Sequence, residues 1–435
     1  MSDATFTCPD LTSFCRLDGL GLEVTGQRIE PDRAILACRP VDADDWCRDC
    51  GGQGLIRGSV VRLLSHVPLG WRPTVLHVRL RRYRCIECGR VWRQDTSAAA
   101  EPRSKLSRAA LRWGLEGLVV QHLSMSRIAA GLDVAWNTAN DAVLAEGQRV
   151  LISDLARFDG VKVIGVDEHC WRHTRHGEKY VTVIIDLTPT RDGTGPARLL
   201  DMVEGRSKQV FKTWLAARPR AWRKGIEVVA MDGFTGYKTA AVEELGNATT
   251  VMDPFHVVRL AGEALTRCRQ RVQQDTCGHR GRAGDPLYRA RRTLLTGVDL
   301  LTDKQVARLE ALFADEQHTE VYATWSIYQR LVVAYRNPDK QLGRFLLQGV
   351  IDSVSTGVPR DLVELVSLGR TLHRRAADVL AFFDRPGTSN GPTEAINGRL
   401  EHLRGIALGF RNLTHYIARS LLESGGFIPH LHPAL

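Results

Sequence analysis

The feature that most constrains this chain is a run of apolar segments, in one order, between Val161 and Asp253. VKVIGVD, YVTVIIDL and ARLLDMVEG follow one another with short polar turns between them. All three are rich in β-branched residues and read as strands, and short connections pair successive strands antiparallel. A helix is expected at about Ser207–Ala217 (SKQVFKTWLAA), then the apolar strand IEVVAMD. A helix at Thr239–Leu245, a strand at Thr249–Asp253 and a helix from Phe255 follow. Alternating strand and helix implies parallel pairing with right-handed crossovers. Three antiparallel strands followed by two parallel ones is the order of an RNase H-like α/β sheet. In that order the first and fourth strands are neighbours.

Both of those strands end in an acid, Asp167 and Asp232, so their carboxylates are expected to emerge side by side. A third acid, Glu394, opens the stretch TEAINGRLEHLRG. The segment PGTSNGP before it cannot be helical. Thr393 is therefore expected to cap a helix that carries Glu394 in its first turn. Asn397, one turn on, shares that face and is expected beside the metals or the DNA. Taken singly, an Asp that ends a strand is usually a turn residue or a helix cap. Taken together, three convergent acids repel one another unless cations lie between them. Two Mg²⁺, or Mn²⁺ in their place, would neutralise Asp167, Asp232 and Glu394 and prepare the in-line displacement of a phosphodiester.

The 435 residues suffice for about three domains. With 43% hydrophobic and 25% charged residues the chain is globular, and its net charge of +10 suits a polyanionic partner. Between Asp232 and Glu394 lie 161 residues, far more than an RNase H-like sheet needs there. The excess, Leu260 to Phe383, shows apolar residues at i, i+3 and i+4, and reads as an all-α insertion domain. Its start holds eight arginines in 26 residues: Arg267, Arg269, Arg271, Arg280, Arg282, Arg289, Arg291 and Arg292. That density suits contacts to DNA phosphates; the alternative is a solvated helix face.

Near the N-terminus, Cys47-x-x-Cys50 and Cys85-x-x-Cys88 are 34 residues apart. Two such turns can present four thiolates to one tetrahedral ion, and a closed four-sulfur shell is the mark of structural zinc. GSVVRLLSHVPLG and TVLHVRLRRYRC between them read as strands joined by a turn at Pro68-Leu69-Gly70, which makes a zinc ribbon. A pair of redox dithiols is the alternative. Cys8, Cys15, Cys38, Cys170, Cys268 and Cys277 lack partner spacing and read as free thiols. Gln94 to Lys105 is small, polar and proline-containing, as in a linker.

Helices follow from Ser107. In MSRIAAGLDVAWNTANDAVLAEGQRVL, Ser126 is expected to cap a first helix that Gly131 breaks, and a second helix runs from about Ala135. Small residues at the bend allow the steep crossing of a helix-turn-helix. Trp136, Asn137, Thr138 and Asn140 would then face base edges in the major groove. A plain helical hairpin is the alternative.

The blocks GVDEHCWRH, MDGFTGY, DPFHVVRL and SNGPTEAINGRLEHLRGIALGFRN resemble those of the DDE transposases of the insertion-sequence family called ISL-three. That family also carries an N-terminal zinc ribbon and a helix-turn-helix. The resemblance implies that Asp167, Asp232 and Glu394 are metal-binding acids, and leaves the role of Asp253-Pro254-Phe255-His256 open. It implies a double-stranded DNA partner, both element terminal repeats and target, and a homodimer or higher oligomer that holds two DNA ends. Some relatives carry a basic residue where this chain has Glu401, which leaves Arg399 or His402 for that DNA contact.

The expected architecture is therefore multidomain. Residues 1–94 form the zinc ribbon region, 95–105 the linker and 106–158 the helix-turn-helix domain. Residues 159–259 begin the RNase H-like catalytic domain, 260–384 form the all-α insertion, and 385–435 supply the last catalytic helix and C-terminus. No run of about 18 apolar residues suggests a membrane span, and MSDATFTCPD does not read as an export signal, so a bacterial, cytoplasmic, nucleoid-associated protein is expected. Two other functions share parts of this pattern: a DNA-binding regulator built on an inactive RNase H-like domain, and a structure-specific nuclease.

Overall fold

Residues 9–173, 177–385 and 387–431 are described by the computed structural model. The architecture is mixed α/β, with two five-stranded sheets and many helices. The chain divides into two compact units. One holds the residues up to 157 and those from 405 onward; the other is Phe158–Arg404. Cys8 lies outside the described residues.

After a short helix at Leu11–Phe14, the first unit holds strands β1 (Leu22–Ile29), β2 (Ala34–Pro40), β3 (Gly54–Leu69), β4 (Arg72–Cys85) and β5 (Val91–Arg93). Their order is β1-β2-β4-β3, with β5 on β4; β2 and β4 run parallel and the other pairs antiparallel. The period-2 pattern of β4 drives Thr74, Leu76, Val78 and Leu80 inward while Arg79 and Arg81 stay exposed. Leu76, Val78 and Leu80 meet Leu17, Leu22, Leu36 and Leu64 in one core. β1 and β2 have no counterpart among the expected elements. Most of β1 is exposed and polar, so it has no apolar alternation to reveal it. The β3–β4 turn also falls later than Pro68-Leu69-Gly70, at Gly70 and Trp71, both left-handed at φ 54° and 67°.

The segment expected as a linker packs instead. Gln94 is buried, accepts from the Arg81 N–H at 2.8 Å and donates to the Asp42 carbonyl at 2.8 Å. Ala99 and Ala100 are fully buried in the same core. Small side chains let that stretch of backbone lie close to the sheet.

Helices α1 (Arg108–Val119), α2 (Met125–Gly131) and α3 (Trp136–Gly147) follow. Ser107 caps α1 by accepting from the Ala110 N–H at 3.1 Å. The cap of α2 is Ser124, which accepts from the Arg127 N–H; Ser126 lies inside the helix. α2 starts two residues earlier because Met125 is buried and is drawn into the first turn. At Gly114 a Cβ would sit 2.9 Å from Val143 Cγ2, so α1 and α3 approach as closely as glycine permits. The helices Leu413–Ser424 and Ile428–Leu431 also belong to this unit.

The second unit is built on β6 (Val163–Cys170), β7 (Tyr180–Asp186), β8 (Arg198–Glu204), β9 (Val228–Met231) and β10 (Thr249–Met252), in the order β10-β9-β6-β7-β8. β6–β7 and β7–β8 are antiparallel; β6–β9 and β9–β10 are parallel. β7 and β9 are buried almost throughout, which is why they read as continuous apolar runs rather than alternating ones. On one face, α4 (Lys208–Ala216) and α5 (Thr235–Leu245) bring Phe211, Trp214, Leu215 and Tyr237 onto Ile164, Val166, Ile184, Val229 and Met231.

α6 (Pro254–Cys277) leaves β10 and starts a region whose described elements are all helical. It includes Asp303–Phe313, Thr319–Arg336, Lys340–Thr356, Val363–Arg374 and Ala376–Asp384. These share one core around Leu265, Leu331, Leu347, Leu372 and Val379. The chain then returns to the sheet as α7 (Gly391–Ile406). Among the described residues no helix is long and apolar enough to cross a membrane.

Candidate active site and metal centres

The parallel register pairs Val166 of β6 with Met231 of β9. Asp232 is the first residue after β9, but Asp167 does not end its strand as expected. β6 runs on to Cys170 because it stays paired with β7, and the two acids sit side by side where the parallel pairing of β6 with β9 stops. Asp167 Oδ1 accepts the Glu168 N–H at 2.8 Å, and Asp232 Oδ1 accepts the Phe234 N–H at 2.9 Å. These short-range bonds aim each side chain. Burial pushes the Asp167 carboxyl up to about 7; the Glu168 N–H opposes this and the charge of Asp232 adds to it. Burial also raises Asp232, against the Phe234 N–H and the charge of His256. Two half-buried carboxylates side by side favour protons or cations.

Glu394 lies in the first turn of α7 and is exposed. The cap expected of Thr393 is not made. α7 starts at Gly391, so Thr393 sits inside it, fully buried, with Oγ1 unbonded, and the Asn390 carbonyl accepts the Glu394 N–H at 3.1 Å. Thr393 turns inward because α7 crosses β6 at Gly165, where a Cβ would lie 2.6 Å from Thr393 Oγ1. Asn397, one turn after Glu394, donates from Nδ2 to Asp167 Oδ2 at 3.0 Å. Residues three apart on a helix are about 5–6 Å apart at Cβ, so Glu394 is carried to the edge of the Asp167–Asp232 pair. Glu401 is held by Arg404, which also donates to the Cys170 carbonyl at 2.8 Å. Arg399 and His402 are exposed.

The acids and histidine that close most tightly around Glu394 are Asp253 and His256, with one donor atom of each within 4.8 Å of the others. Among the described residues, Asp167, Asp232 and Glu394 do not form such a mutually close set. Asp253 and His256 are buried, and the Asn390 N–H donates to Asp253 Oδ1 at 2.7 Å. His256 and Asp253 are three apart at the start of α6, with Nδ1 and Oδ2 3.4 Å apart. An Asp and a His at i, i+3 opening a helix was the available signal for this pair. Its link to a helix about 140 residues later had none.

The four cysteines of the N-terminal unit converge. Cys47 and Cys88 Sγ are 3.6 Å apart, Cys50 and Cys85 Sγ 3.3 Å, and all four lie within 4.8 Å of one another. Zinc bonded to sulfur at about 2.3 Å in a tetrahedron spaces its sulfurs about 3.8 Å apart, so this donor set fits that ion. The Cys88 N–H donates to Cys85 Sγ at 3.5 Å, which helps to hold that sulfur in place.

The expected DNA-facing residues divide. Trp136 and Asn137 are exposed at the start of α3 and Thr138 is half-buried. Asn140 is a correction: it is 3% exposed, and its amide meets Asp141 and the ring of His415. A helical residue four positions after an exposed one turns back toward that face, but the packing of Leu413–Ser424 covers this position. Arg267, Arg280, Arg282, Arg289 and Arg292 are exposed. Arg269 is buried and bonded to Gln273. Arg271 is engaged by Glu364 at 3.0 Å and by Glu320 at 2.5 Å. Arg291 is half-buried over the Tyr288 ring, 4.2 Å from its centroid. Arg271 thus ties α6 to the helices of Glu320 and Glu364, while Arg269 is satisfied along its own helix, since a buried guanidinium must find partners.

A sheet whose parallel and antiparallel halves meet at two acids, with a distant helix tied to the first of them through Asn397, frames the site. The chain belongs to the ISL-three group of DDE transposases: that family's model, described as Transposase, matches residues 164–420. The chain is similar to the transposase for insertion sequence element IS1557 of two Mycobacterium tuberculosis strains, 24% identical over 337 residues that cover 72% of each chain. It is also similar to the transposase for insertion sequence element IS1001 of Bordetella parapertussis, 24% identical over 304 residues, 69% of this chain and 70% of the relative.

Proposed function

We propose that this transposase binds the terminal repeats of its insertion sequence and cuts and joins DNA at Asp167, Asp232 and Glu394. The observation that carries this is the side-by-side exit of Asp167 and Asp232, with the helix of Glu394 tied to Asp167 through Asn397. The three acids would hold two Mg²⁺, or Mn²⁺. Cations bound there would supply Lewis-acid activation of a water or 3′-hydroxyl and stabilisation of the leaving oxygen.

The chain's own residues do the positioning. The backbone N–H groups of Glu168 and Phe234 fix the two aspartates. Asn397 holds Asp167 Oδ2 in its direction. Partial burial weakens the solvent's screening of the pair. No side-chain nucleophile is required.

The surrounding architecture is read as a zinc ribbon around Cys47, Cys50, Cys85 and Cys88, a helix-turn-helix in α2 and α3, an RNase H-like sheet, and an all-α insertion after β10. Exposed Trp136 and Asn137 would read terminal-repeat bases. Arg267, Arg280, Arg282, Arg289, Arg292 and Arg399 would contact phosphates. Two DNA ends must be held at once, which calls for at least a dimer working on bacterial nucleoid DNA.

The experiment is strand transfer of pre-cut element ends by Asp167→Asn, Asp232→Asn and Glu394→Gln in Mg²⁺. Each is expected to fall at least about a thousandfold, as for loss of a principal electrostatic group. Near wild-type transfer by any one variant removes that acid from the reaction.

A further inference from the structure

We propose that Asp253, His256 and Glu394 form one of the two cation seats, with the His256 imidazole as a nitrogen ligand, while Asp167 and Asp232 form the other. This rests on the metal-dependent reading above and adds to it Asp253 and His256, to which that reading assigns no part.

Three observations carry it. One donor atom from each of Asp253, His256 and Glu394 lies within 4.8 Å of the other two. A divalent ion with nitrogen and oxygen ligands at about 2.1 Å spaces them about 3–4 Å apart, so small side-chain movements close the set. Next, the set is rigid where it must be. Asp253 and His256 are buried at the start of α6, and Asp253 Oδ1 is pinned by the Asn390 N–H at 2.7 Å. That leaves Oδ2, which faces His256 Nδ1 at 3.4 Å, as the oxygen for a cation. Last, Asn390, whose N–H pins Asp253, is fully buried with both amide atoms unbonded. A hydrated cation's shell would satisfy them.

The donor chemistry makes the two seats unlike. Asp167 and Asp232 offer oxygen alone, which suits Mg²⁺. An imidazole in the second seat favours Mn²⁺ and later first-row ions over Mg²⁺. Glu394 is the exposed member and arrives on a separate helix. The seat is therefore completed only when α7 is docked on β6.

The test uses the full-length, zinc-loaded chain and Mn²⁺ alone, read by pulsed electron paramagnetic resonance for nitrogen coupling to the bound ion. Wild type is expected to show coupling from one imidazole. Asp232→Asn should keep it and His256→Gln should lose it, with Mn²⁺ affinity of that seat falling by on the order of tenfold or more. Because His256 is buried, Glu394→Gln serves as a second variant at an exposed position. It should weaken the nitrogen-coupled Mn²⁺ by a similar factor without lowering thermal stability. Bound Mn²⁺ with no nitrogen coupling in wild type, or coupling that survives in His256→Gln, overturns the assignment even if strand transfer proceeds. Coupling as described in a chain that transfers no strand overturns the transposition reading and supports the seat.

Discussion

Asn397 Nδ2 donates to Asp167 Oδ2 at 3.0 Å across 230 residues of sequence. This one bond links the helix of Glu394 to the strand of the first acid. It also occupies an oxygen lone pair that would otherwise be free to turn. Asn397→Ala should lower strand transfer by about 10–100-fold, the usual effect of losing a partner that orients a metal ligand. Thermal stability should change little, because Asn397 is only half-buried. Steady-state transfer rates alongside thermal melts check this.

Asp167 sets a pH dependence. Its carboxyl is raised from an ordinary 3.8 to about 7, chiefly by burial. The folded state therefore binds a proton between about pH 4 and 7 that the unfolded state has released. Its contribution lowers stability as pH rises through that window, and the loss is complete above about 7. Without divalent cations, Asp167→Asn should be more stable than wild type at pH 8 by about 1–3 kcal/mol and should match it at pH 4. Mg²⁺ should stabilise the wild type increasingly above pH 7, since only the carboxylate binds it. Denaturant melts at both pH values, with and without Mg²⁺, measure each arm.

Gly165 is a spacing residue. A Cβ there would lie 2.6 Å from Thr393 Oγ1 and 3.1 Å from Leu187 Cδ1. Gly165→Ala should destabilise by about 1–3 kcal/mol, as overpacking does. It should also push α7 off β6 and cut strand transfer further than that loss explains. Adding Thr393→Ala, which removes the clashing hydroxyl, should restore part of both. Recovery of stability without any recovery of transfer would count against a role for this approach in placing Glu394.

The arginines should sort by environment. Arg280→Ala and Arg289→Ala should weaken DNA binding similarly on all sequences, with stability intact. The slope of log affinity against log salt should become shallower by about 0.9 for each phosphate no longer neutralised. Arg271→Ala should do the reverse. It leaves Glu364 buried without its partner, at a cost of about 3 kcal/mol. Salt-titrated gel shifts and melts of the three variants distinguish these outcomes.

Removing the four-sulfur metal should loosen the first unit alone. Cys50→Ser or Cys88→Ser is expected to release one zinc per chain, measured by a colorimetric chelator. The stability of the first unit should fall by several kcal/mol. The sheet core around Leu36, Leu64 and Leu76 should keep that unit folded at low temperature.

Much of this protein is written in short stretches of chain. Loop lengths and apolar runs suffice to order β6 to β10, because antiparallel neighbours need tight turns and parallel ones need a crossover. The two CxxC turns bring their own thiols together, and the helical region after β10 is visible from its spacing. Local pattern fails where a neighbour from far along the chain sets the outcome. Asn140 is covered by a helix that begins at Leu413, Arg271 is claimed by Glu320 and Glu364, and the stretch after Gln94 packs where its composition suggested a tether. The same holds at the site. Nothing within DPFH or TEAIN shows that Asp253, His256 and Glu394 share one spot, since that depends on α6 and α7 reaching the same sheet edge. Backbone geometry and side-chain periodicity act over a few residues, whereas burial and charge pairing depend on what the completed core brings within a few ångströms.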